Sequence, residues 1–199
     1  MARNMRNIHL RQALEGIWLK FLLLFAALFI FEILFSLLGA SAQVQQNMLA
    51  KMKDIPPVVE KMFGAGFIDA LLKYGVISLG YIHPLVLGIF IIFIFVTISQ
   101  IVTSEISSGT IGYTLSKPVS RKQIYINLAF VIYTGLGLLA LSTYSSSALG
   151  IFLFHGGKLS TAPFAALSWN LFLVMVFIAG YMVIFAALAE TGKALFTWG

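Results

Sequence analysis

Four long apolar stretches, separated by polar segments, organise the sequence. They lie at 21–38, 84–103, 126–150 and 166–189. A helix needs about 20 predominantly apolar residues to cross the hydrocarbon core of a bilayer. Each stretch is close to that length, and the second carries no charged residue. The pattern therefore predicts an all-α fold: a polytopic bundle of four transmembrane helices that forms a single transmembrane domain over residues 1–199.

The segment before the first span has its own hydrophobic pattern. Leu10, Ala13 and Leu14 share one helical face, which predicts that residues 1–20 contain a helix lying in the membrane interface. The alternative is that this segment extends the first span into water. Ala40-Ser41-Ala42 resembles a signal-peptide cleavage site, but the apolar stretch before it is longer than such a peptide requires.

The segment between the first two spans, 39–83, is too long to be a simple connection. Apolar residues recur at every fourth position, at Val44, Met48 and Met52. Two prolines interrupt this pattern, which resumes over 59–63. We therefore expect two short amphipathic helices in this loop. The other loop on the same side of the membrane is predicted at 151–163.

Composition supports the membrane assignment and excludes several kinds of site. The chain is 60% hydrophobic and 10% charged, with a mean hydropathy of +0.97, whereas a soluble domain has roughly 25% charged residues. Cysteine is absent, which excludes disulfides and cysteine-based metal or redox sites. The three histidines are isolated and match no metal-ligand spacing. No metal or cofactor site is predicted in the chain.

The basic residues predict the orientation. Eight lie on the side that holds the N-terminus, the segment 104–123 and the tail 190–199: Arg3, Arg6, Arg11, Lys20, Lys117, Arg121, Lys122 and Lys193. Five lie on the other side: Lys51, Lys53, Lys61, Lys73 and Lys158. Lys and Arg are retained on the cytoplasmic side of a membrane. We therefore expect a multi-pass protein of the cell membrane with both ends in the cytoplasm. Because the basic residues flank apolar segments, they do not indicate a nucleic-acid partner.

The cytoplasmic segment contains the run SEISSGTIGYTLSKPVSRKQI, from Ser104 to Ile124. Its small residues and glycine are typical of a helix end and a turn. Pro118 disfavours helical geometry in the residue before it. Ser120 and Gln123 then have the spacing of a capping box, which predicts the start of a new helix. The run is therefore expected to form a short rigid element between two bends, able to contact a cytoplasmic partner.

This run resembles the cytoplasmic signature of type-2 ABC transporter permeases, the transmembrane subunits of many ABC exporters. The positions that carry the resemblance are Glu105, Ser107, Gly109, Thr110, Pro118, Ser120 and Arg121. In that family the corresponding segment is a coupling helix that docks on a separate ATPase subunit. The resemblance thus implies that these residues couple the chain to an ATPase.

The resemblance also implies an assembly. An exporter of this kind has two permease halves, as a homodimer or a related pair, with cytoplasmic ABC ATPase subunits that bind the ATP. Family members usually have six spans, so this chain is either a shortened member of the family or, as we expect, part of a six-span subunit.

The sequence itself offers no site for ATP hydrolysis. A P-loop requires G-x-x-x-x-G-K-[ST], in which backbone amides hold the phosphates. Gly157-Lys158 and Gly192-Lys193 lack both the earlier glycine and the following Ser or Thr. We therefore expect that the chain is not an enzyme and that hydrolysis takes place on a separate subunit.

Two features inside the predicted spans are candidates for a functional or helix-packing role. Glu32 is the one charge in the first span, and intramembrane ionisable residues are commonly functional. It is expected to anchor the helix beside His83 or at the outer interface, rather than to transfer protons. Ser142, Ser146 and Gly150 repeat at every fourth position, a spacing that allows close helix packing. The alternative is that they and their neighbouring hydroxyls line a polar path.

The sequence is compatible with three classes of function. The first is a permease subunit of an ABC exporter, which would form the translocation path. The second is an ion- or proton-coupled membrane carrier, which Glu32 favours. The third is a non-transporting membrane scaffold subunit.

Overall fold

The computed structural model describes residues 2–52, 58, 62, 67–100 and 121–188. Within them the helices are α1 (Ala2–Ala40), α2 (Ala42–Met52), α3 (Phe67–Ile82), α4 (Pro84–Ile98), α5 (Arg121–His155) and α6 (Ala162–Leu188). These residues contain no β-strand. The predicted all-α fold class is therefore confirmed.

Four segments are long and apolar enough to cross a membrane: Ile17–Ala40, Leu71–Ile98, Ile126–His155 and Ala162–Ala186. The chain is thus a multi-pass membrane protein. The second segment begins at Leu71 instead of at Pro84, because α3 is itself strongly apolar and continues into α4 after one residue. The third extends to His155 because no charge interrupts the chain after the predicted end at 150.

Helix α1 is continuous from Ala2 to Ala40. Residues 2–20 therefore do not form a helix separate from the first span, and the backbone matches the alternative in which this segment extends the span. The physical reason is that the segment contains no proline, and its one glycine, Gly16, is tolerated within a helix at a cost of about 1 kcal/mol relative to alanine.

Helix α2 coincides with the first amphipathic helix expected in the loop, since it runs from Ala42 to Met52. It follows α1 after one residue, and the Gln45 side chain donates a hydrogen bond to the carbonyl of Gly39 (3.0 Å). That bond satisfies a carbonyl at the end of α1, which has no partner within the helix. The second short helix, expected at 59–63, falls largely outside the described residues.

His83 separates α3 from α4. Pro84 occupies the first position of α4, where its missing N–H is not required. The Nδ1 atom of His83 accepts a hydrogen bond from the backbone N–H of Leu85 (3.2 Å), so His83 caps the N-terminus of α4 as Ser or Asp caps other helices. The break between α3 and α4 at His83 is therefore the capped start of a helix within a single apolar segment.

Two glycines end α5. Gly156 and Gly157 have φ angles of 59° and 68°, in the left-handed region that favours glycine at helix C-termini. The Oγ atom of Ser160 then accepts a hydrogen bond from the backbone N–H of Ala162 (3.3 Å), at the start of α6. The connection between the two helices is consequently short.

The chain divides into two compact units. The first unit contains 1–25, 88–139 and 172–199, and the second contains 26–87 and 140–171. In the first unit, the ring of Phe93 packs edge-on against Phe21, with 5.6 Å between centroids. In the second unit, Phe164 stacks on Tyr81 at 6.1 Å. Both Phe93 and Phe164 are buried, so each unit has an aromatic core of its own.

Candidate functional site

The second unit contains a cluster of buried polar side chains from four helices, which we call the Glu32 cluster. Its members are Glu32 and Ser36 of α1, Tyr81 of α3, Thr143 and Ser147 of α5, and Ser168 of α6. Glu32 has no exposed surface, and Ser168 is the most exposed member at 6%. A polar cluster within membrane-spanning segments is costly unless its groups are hydrogen-bonded, which makes it the leading candidate for a functional site.

Hydrogen bonds join the cluster into a chain. The Oγ atom of Ser168 donates to the hydroxyl oxygen of Tyr81 (3.4 Å). The Tyr81 hydroxyl donates to Oγ of Ser147 (3.0 Å), and has the backbone carbonyl of Thr143 as a second acceptor at 3.2 Å. Oγ of Ser147 donates to Oε2 of Glu32 (3.4 Å). Three hydroxyls thus lead, one after another, to the carboxyl group.

The carboxyl group of Glu32 is poorly satisfied. Its Oε1 atom and the Oγ atom of Ser36 are both buried without a hydrogen-bond partner. No ion pair to Glu32 is found among the described residues. Buried carboxylates are normally paired with a cation or with several hydrogen-bond donors. A single long hydrogen bond would stabilise a negative charge on Glu32 poorly.

Two glycines allow the backbones of α3 and α5 to approach these side chains. A Cβ atom at Gly80 would lie 2.7 Å from Oε2 and 2.9 Å from Oε1 of Glu32. A Cβ atom at Gly150 would overlap the side chain of Ser36. Real Cβ contacts are longer, so any larger residue at either position would displace the polar groups of α1.

Helical spacing explains why these residues meet. Glu32 and Ser36 are four residues apart and lie on one face of α1. Thr143, Ser147 and Gly150 follow the same rule on α5, at intervals of four and three residues. The face of α5 that carries hydroxyls is therefore the face that contacts Tyr81 and α1.

Among the described residues, the one hydrogen bond of the Glu32 side chain joins α1 to α5. Its hydrogen-bond partner is Ser147, and no hydrogen bond joins it to His83. The ring of His83 packs instead against Phe31 and Phe35, with centroid separations of 5.0 and 5.7 Å. Because Glu32 is fully buried, its carboxyl does not reach an exposed interface.

The stripe of Ser142, Ser146 and Gly150 is buried along its whole length. Oγ of Ser146 donates to the backbone carbonyls of Ser142 (2.8 Å) and Thr143 (3.0 Å). A serine that bonds to its own helix is satisfied without a partner on another helix. This geometry favours close packing over a polar path for Ser146, whereas its neighbours Thr143 and Ser147 belong to the Glu32 cluster.

The residues expected to couple the chain to an ATPase lie outside the described residues. This applies to Glu105, Ser107, Gly109, Thr110, Pro118 and Ser120. Arg121 is the first residue of α5, but only its backbone is described. Their roles therefore stay predictions.

Each unit also has a concave surface. In the first unit, an apolar groove with a volume of about 370 Å³ is lined by residues that include Trp18, Phe21, Phe93 and Phe130. In the second unit, a smaller and more polar pocket of about 280 Å³ is lined by Gln45, Lys73 and His155, among others. Neither adjoins the Glu32 carboxyl, so neither changes the choice of candidate site.

Sequence reasoning singled out Glu32 but missed Tyr81 and Ser168. Both look ordinary in sequence, since each lies within an apolar segment without a recognisable motif. Their one signal is that a buried Tyr hydroxyl or Ser in a span needs a partner. Among the described residues, no group of three or more His, Asp or Glu side chains could hold a metal ion.

Comparison with known proteins found no matching family model, no matching curated protein and no matching solved structure.

Proposed function

We propose that the chain is the transmembrane permease subunit of an ABC exporter, coupled to a separate cytoplasmic ATPase. The observation that carries the proposal is the run from Ser104 to Ile124, which has the residues of the family's coupling segment in the position where such a segment belongs. It lies between the second and third candidate spans, Leu71–Ile98 and Ile126–His155. A rigid element in this position would let a membrane helix follow the motion of a soluble partner.

The order of the spans supports this arrangement. Because each span reverses the side of the membrane, the run lies on the same side as the N-terminus. Outside the four candidate spans, this side has seven basic residues: Arg3, Arg6, Arg11, Lys117, Arg121, Lys122 and Lys193. The opposite side has four: Lys51, Lys53, Lys61 and Lys158. In a protein of the cell membrane, this bias favours a cytoplasmic location for the run and for both ends of the chain.

Helix α5 supplies a mechanical reason for the proposal. It begins at Arg121, within the last four residues of the run, and continues without a break to His155. An ATPase that moves on binding ATP can transmit that motion only through elements that resist bending. A long helix with a firm start has this property, and Arg121 and Lys122 at that start could pair with acidic groups of the ATPase.

One observation favours a second candidate, an ion- or proton-coupled carrier. A fully buried carboxyl joined to a chain of hydroxyls is an arrangement that ion-coupled transporters use. The two functions predict different dependence on a partner. An exporter of the ABC class requires ATPase subunits and ATP, whereas a carrier transports when the purified chain is reconstituted alone.

Affinity purification of the tagged chain from its native membrane tests the main proposal. Native mass spectrometry should show two permease chains together with ATPase subunits, and the complex should release phosphate from ATP. Charge reversal in Arg121→Glu should weaken ATPase association by about tenfold or more, which corresponds to about 1.4 kcal/mol. Lys158→Glu is the matched control, because it makes the same change in the loop predicted on the opposite side, and should leave association unchanged.

Two outcomes would contradict the proposal. One is a stable and active chain that co-purifies with no ATPase. The other is an equal effect of both charge reversals, which would show that net charge, rather than the run, governs association.

A further inference from the structure

We propose that Glu32 is an intramembrane proton-binding site, whose carboxyl holds a proton in the conformation described and exchanges it through Ser147, Tyr81 and Ser168. The proposal does not rest on ATPase coupling, since it concerns only the Glu32 cluster within the second unit. The ligand of the site is the proton itself.

The first argument is the absence of compensation for a negative charge. Glu32 has no exposed surface, its Oε1 atom has no hydrogen-bond partner, and its Oε2 atom accepts one bond of 3.4 Å. An isolated carboxylate in an apolar interior costs far more than a neutral carboxylic acid, and such groups become neutral instead. A proton on Glu32 removes the charge without any rearrangement.

The second argument is the lack of space for a larger cation. Metal ions such as Ca²⁺ and Mg²⁺ take six or more oxygen ligands arranged around the ion. Here the backbone of α3 at Gly80 packs directly against both carboxyl oxygens. No other Asp or Glu of the described residues joins Glu32 in a metal-binding group. The proton is the one cation that needs no such coordination shell.

The third argument is the hydroxyl chain. Exposure increases along it, from 0% at Glu32 through 2% at Tyr81 to 6% at Ser168, so Ser168 is the least buried member of the chain. In the directions described, the hydrogen bonds deliver a proton to an ionised Glu32. Ser168 takes up a proton and passes its own to the Tyr81 oxygen, Tyr81 passes its proton to Oγ of Ser147, and Ser147 passes its proton to Oε2 of Glu32. Release follows the reverse route after the hydroxyl hydrogens have turned to point away from Glu32. Each hydroxyl keeps one hydrogen, and one proton is transferred overall.

Tyr81 can open or interrupt this chain. Its single hydroxyl hydrogen has two acceptors, Ser147 at 3.0 Å and the carbonyl of Thr143 at 3.2 Å. When it points to Thr143, it no longer links Ser147 to Ser168. The 3.4 Å separations at each end exceed the usual O–H···O distance of about 2.5–3.0 Å. Side-chain motion must therefore shorten them before the proton moves.

The other titratable groups near the cluster do not supply a countercharge. Helix α3 contributes Tyr81, and α5 contributes Tyr144, which lies within electrostatic range of Tyr81. His83 packs beside Phe31 and Phe35, but its Nδ1 atom is occupied by the N–H of Leu85. Helix α6 brings the hydroxyl of Ser168 and has no charged residue in its sequence.

Infrared spectroscopy of the full-length purified chain in detergent tests the proton on Glu32. Exposed carboxyls are ionised at neutral pH, so a C=O stretch of a protonated carboxylic acid should come from Glu32. This band should disappear in Glu32→Gln and shift in frequency in Glu32→Asp. It should persist in Glu15→Gln, which removes the other acid of α1, outside the candidate span.

The rate at which the band shifts in heavy water tests the hydroxyl chain. Tyr81→Phe and Ser147→Ala should keep the band but slow its exchange by about tenfold or more, equivalent to about 1.4 kcal/mol in the barrier. Tyr144→Phe makes the same chemical change outside the chain and should exchange at the wild-type rate.

Absence of the band from the wild-type chain at neutral pH would overturn the proton site, even if every variant failed to fold. Equal exchange rates in Tyr81→Phe and Tyr144→Phe would overturn the hydroxyl chain. Both measurements use the chain without an ATPase, so they are independent of the function proposed above.

Discussion

At Gly80, the absence of a side chain determines how closely α3 can pack against Glu32. The carboxyl oxygens occupy the volume that a methyl group would fill. The same relation holds between Gly150 and Ser36. At both positions the polar groups of α1 meet backbone directly, which is the close approach that small residues permit between membrane helices.

We expect Gly80→Ala to destabilise the chain by about 1–3 kcal/mol, the usual cost of an extra methyl group in a packed interior. Gly88→Ala is the control, because it is also helical but a Cβ there meets nothing within 4 Å. It should be neutral or stabilise by up to about 1 kcal/mol, since alanine has the higher helix propensity. Thermal unfolding of the purified variants measures both changes.

A double-mutant cycle identifies the clashing group. In a Glu32→Ala background the added methyl group meets empty space, so Gly80→Ala should then cost little. If the cost is the same in both backgrounds, contact with Glu32 is not its cause.

Helix α4 depends on a cap that is unusual because it is a histidine. The Nδ1 atom of His83 accepts the N–H of Leu85, while its ring contacts Phe31 and Phe35. The side chain thus stabilises both the start of a helix and the packing of that start on α1. These two contributions can be separated by substitution.

His83→Ala removes the cap and the ring, whereas His83→Asn removes the ring but retains an acceptor that caps helices well. We expect the alanine variant to be less stable than the asparagine variant by about 0.5–2 kcal/mol, the usual contribution of a cap. Chemical unfolding in mixed detergent provides the comparison. Equal losses of stability in the two variants would mean that packing of the His83 ring accounts for the whole effect.

The elements were predictable where one local pattern determined them. The recurrence of Val44, Met48 and Met52 predicted α2, because amphipathic periodicity is a property of the segment alone. The candidate span that begins at Leu71 starts before the uncharged stretch predicted from 84, because the His83 cap lets the apolar helical segment continue through Pro84. Glu32 could be singled out as an isolated charge. Tyr81 and Ser168, which are joined to Glu32 through Ser147, could not, because contacts between distant helices depend on packing that no local pattern encodes.

At the scale of the whole molecule, the four candidate spans assign every connecting segment to one of two sides. If all four candidate spans cross the membrane, residue 41 and the connection at 156–161 fall on one side, and the start of α5 at Arg121 falls on the other. The sidedness depends only on the number of crossings. Which side is cytoplasmic depends on the basic residues.

The absence of cysteine makes this arrangement directly testable by single-cysteine labelling. In intact cells, Ser41→Cys and Ser160→Cys should react with a membrane-impermeant maleimide. Ser116→Cys should react only after the membrane is permeabilised, because positive residues retain its segment inside. The reverse pattern would show that the protein has the opposite orientation. The run would then lie outside the cytoplasm, where an ATPase subunit could not dock on it. Reaction at Ser41→Cys without reaction at Ser160→Cys would contradict the number of spans.

The length of the third candidate span also affects the lipids around it. Ile126–His155 has 30 residues, which as an α-helix measure about 45 Å at 1.5 Å per residue. The hydrocarbon core of a bilayer is about 30 Å thick, and the headgroup layers extend this to about 40–45 Å. At the far end, Phe152 and Leu153 are exposed, so an upright helix would place apolar side chains among the headgroups. Tilting of the helix or stretching of nearby acyl chains relieves this mismatch, and the protein is therefore sensitive to the thickness of the membrane that it occupies.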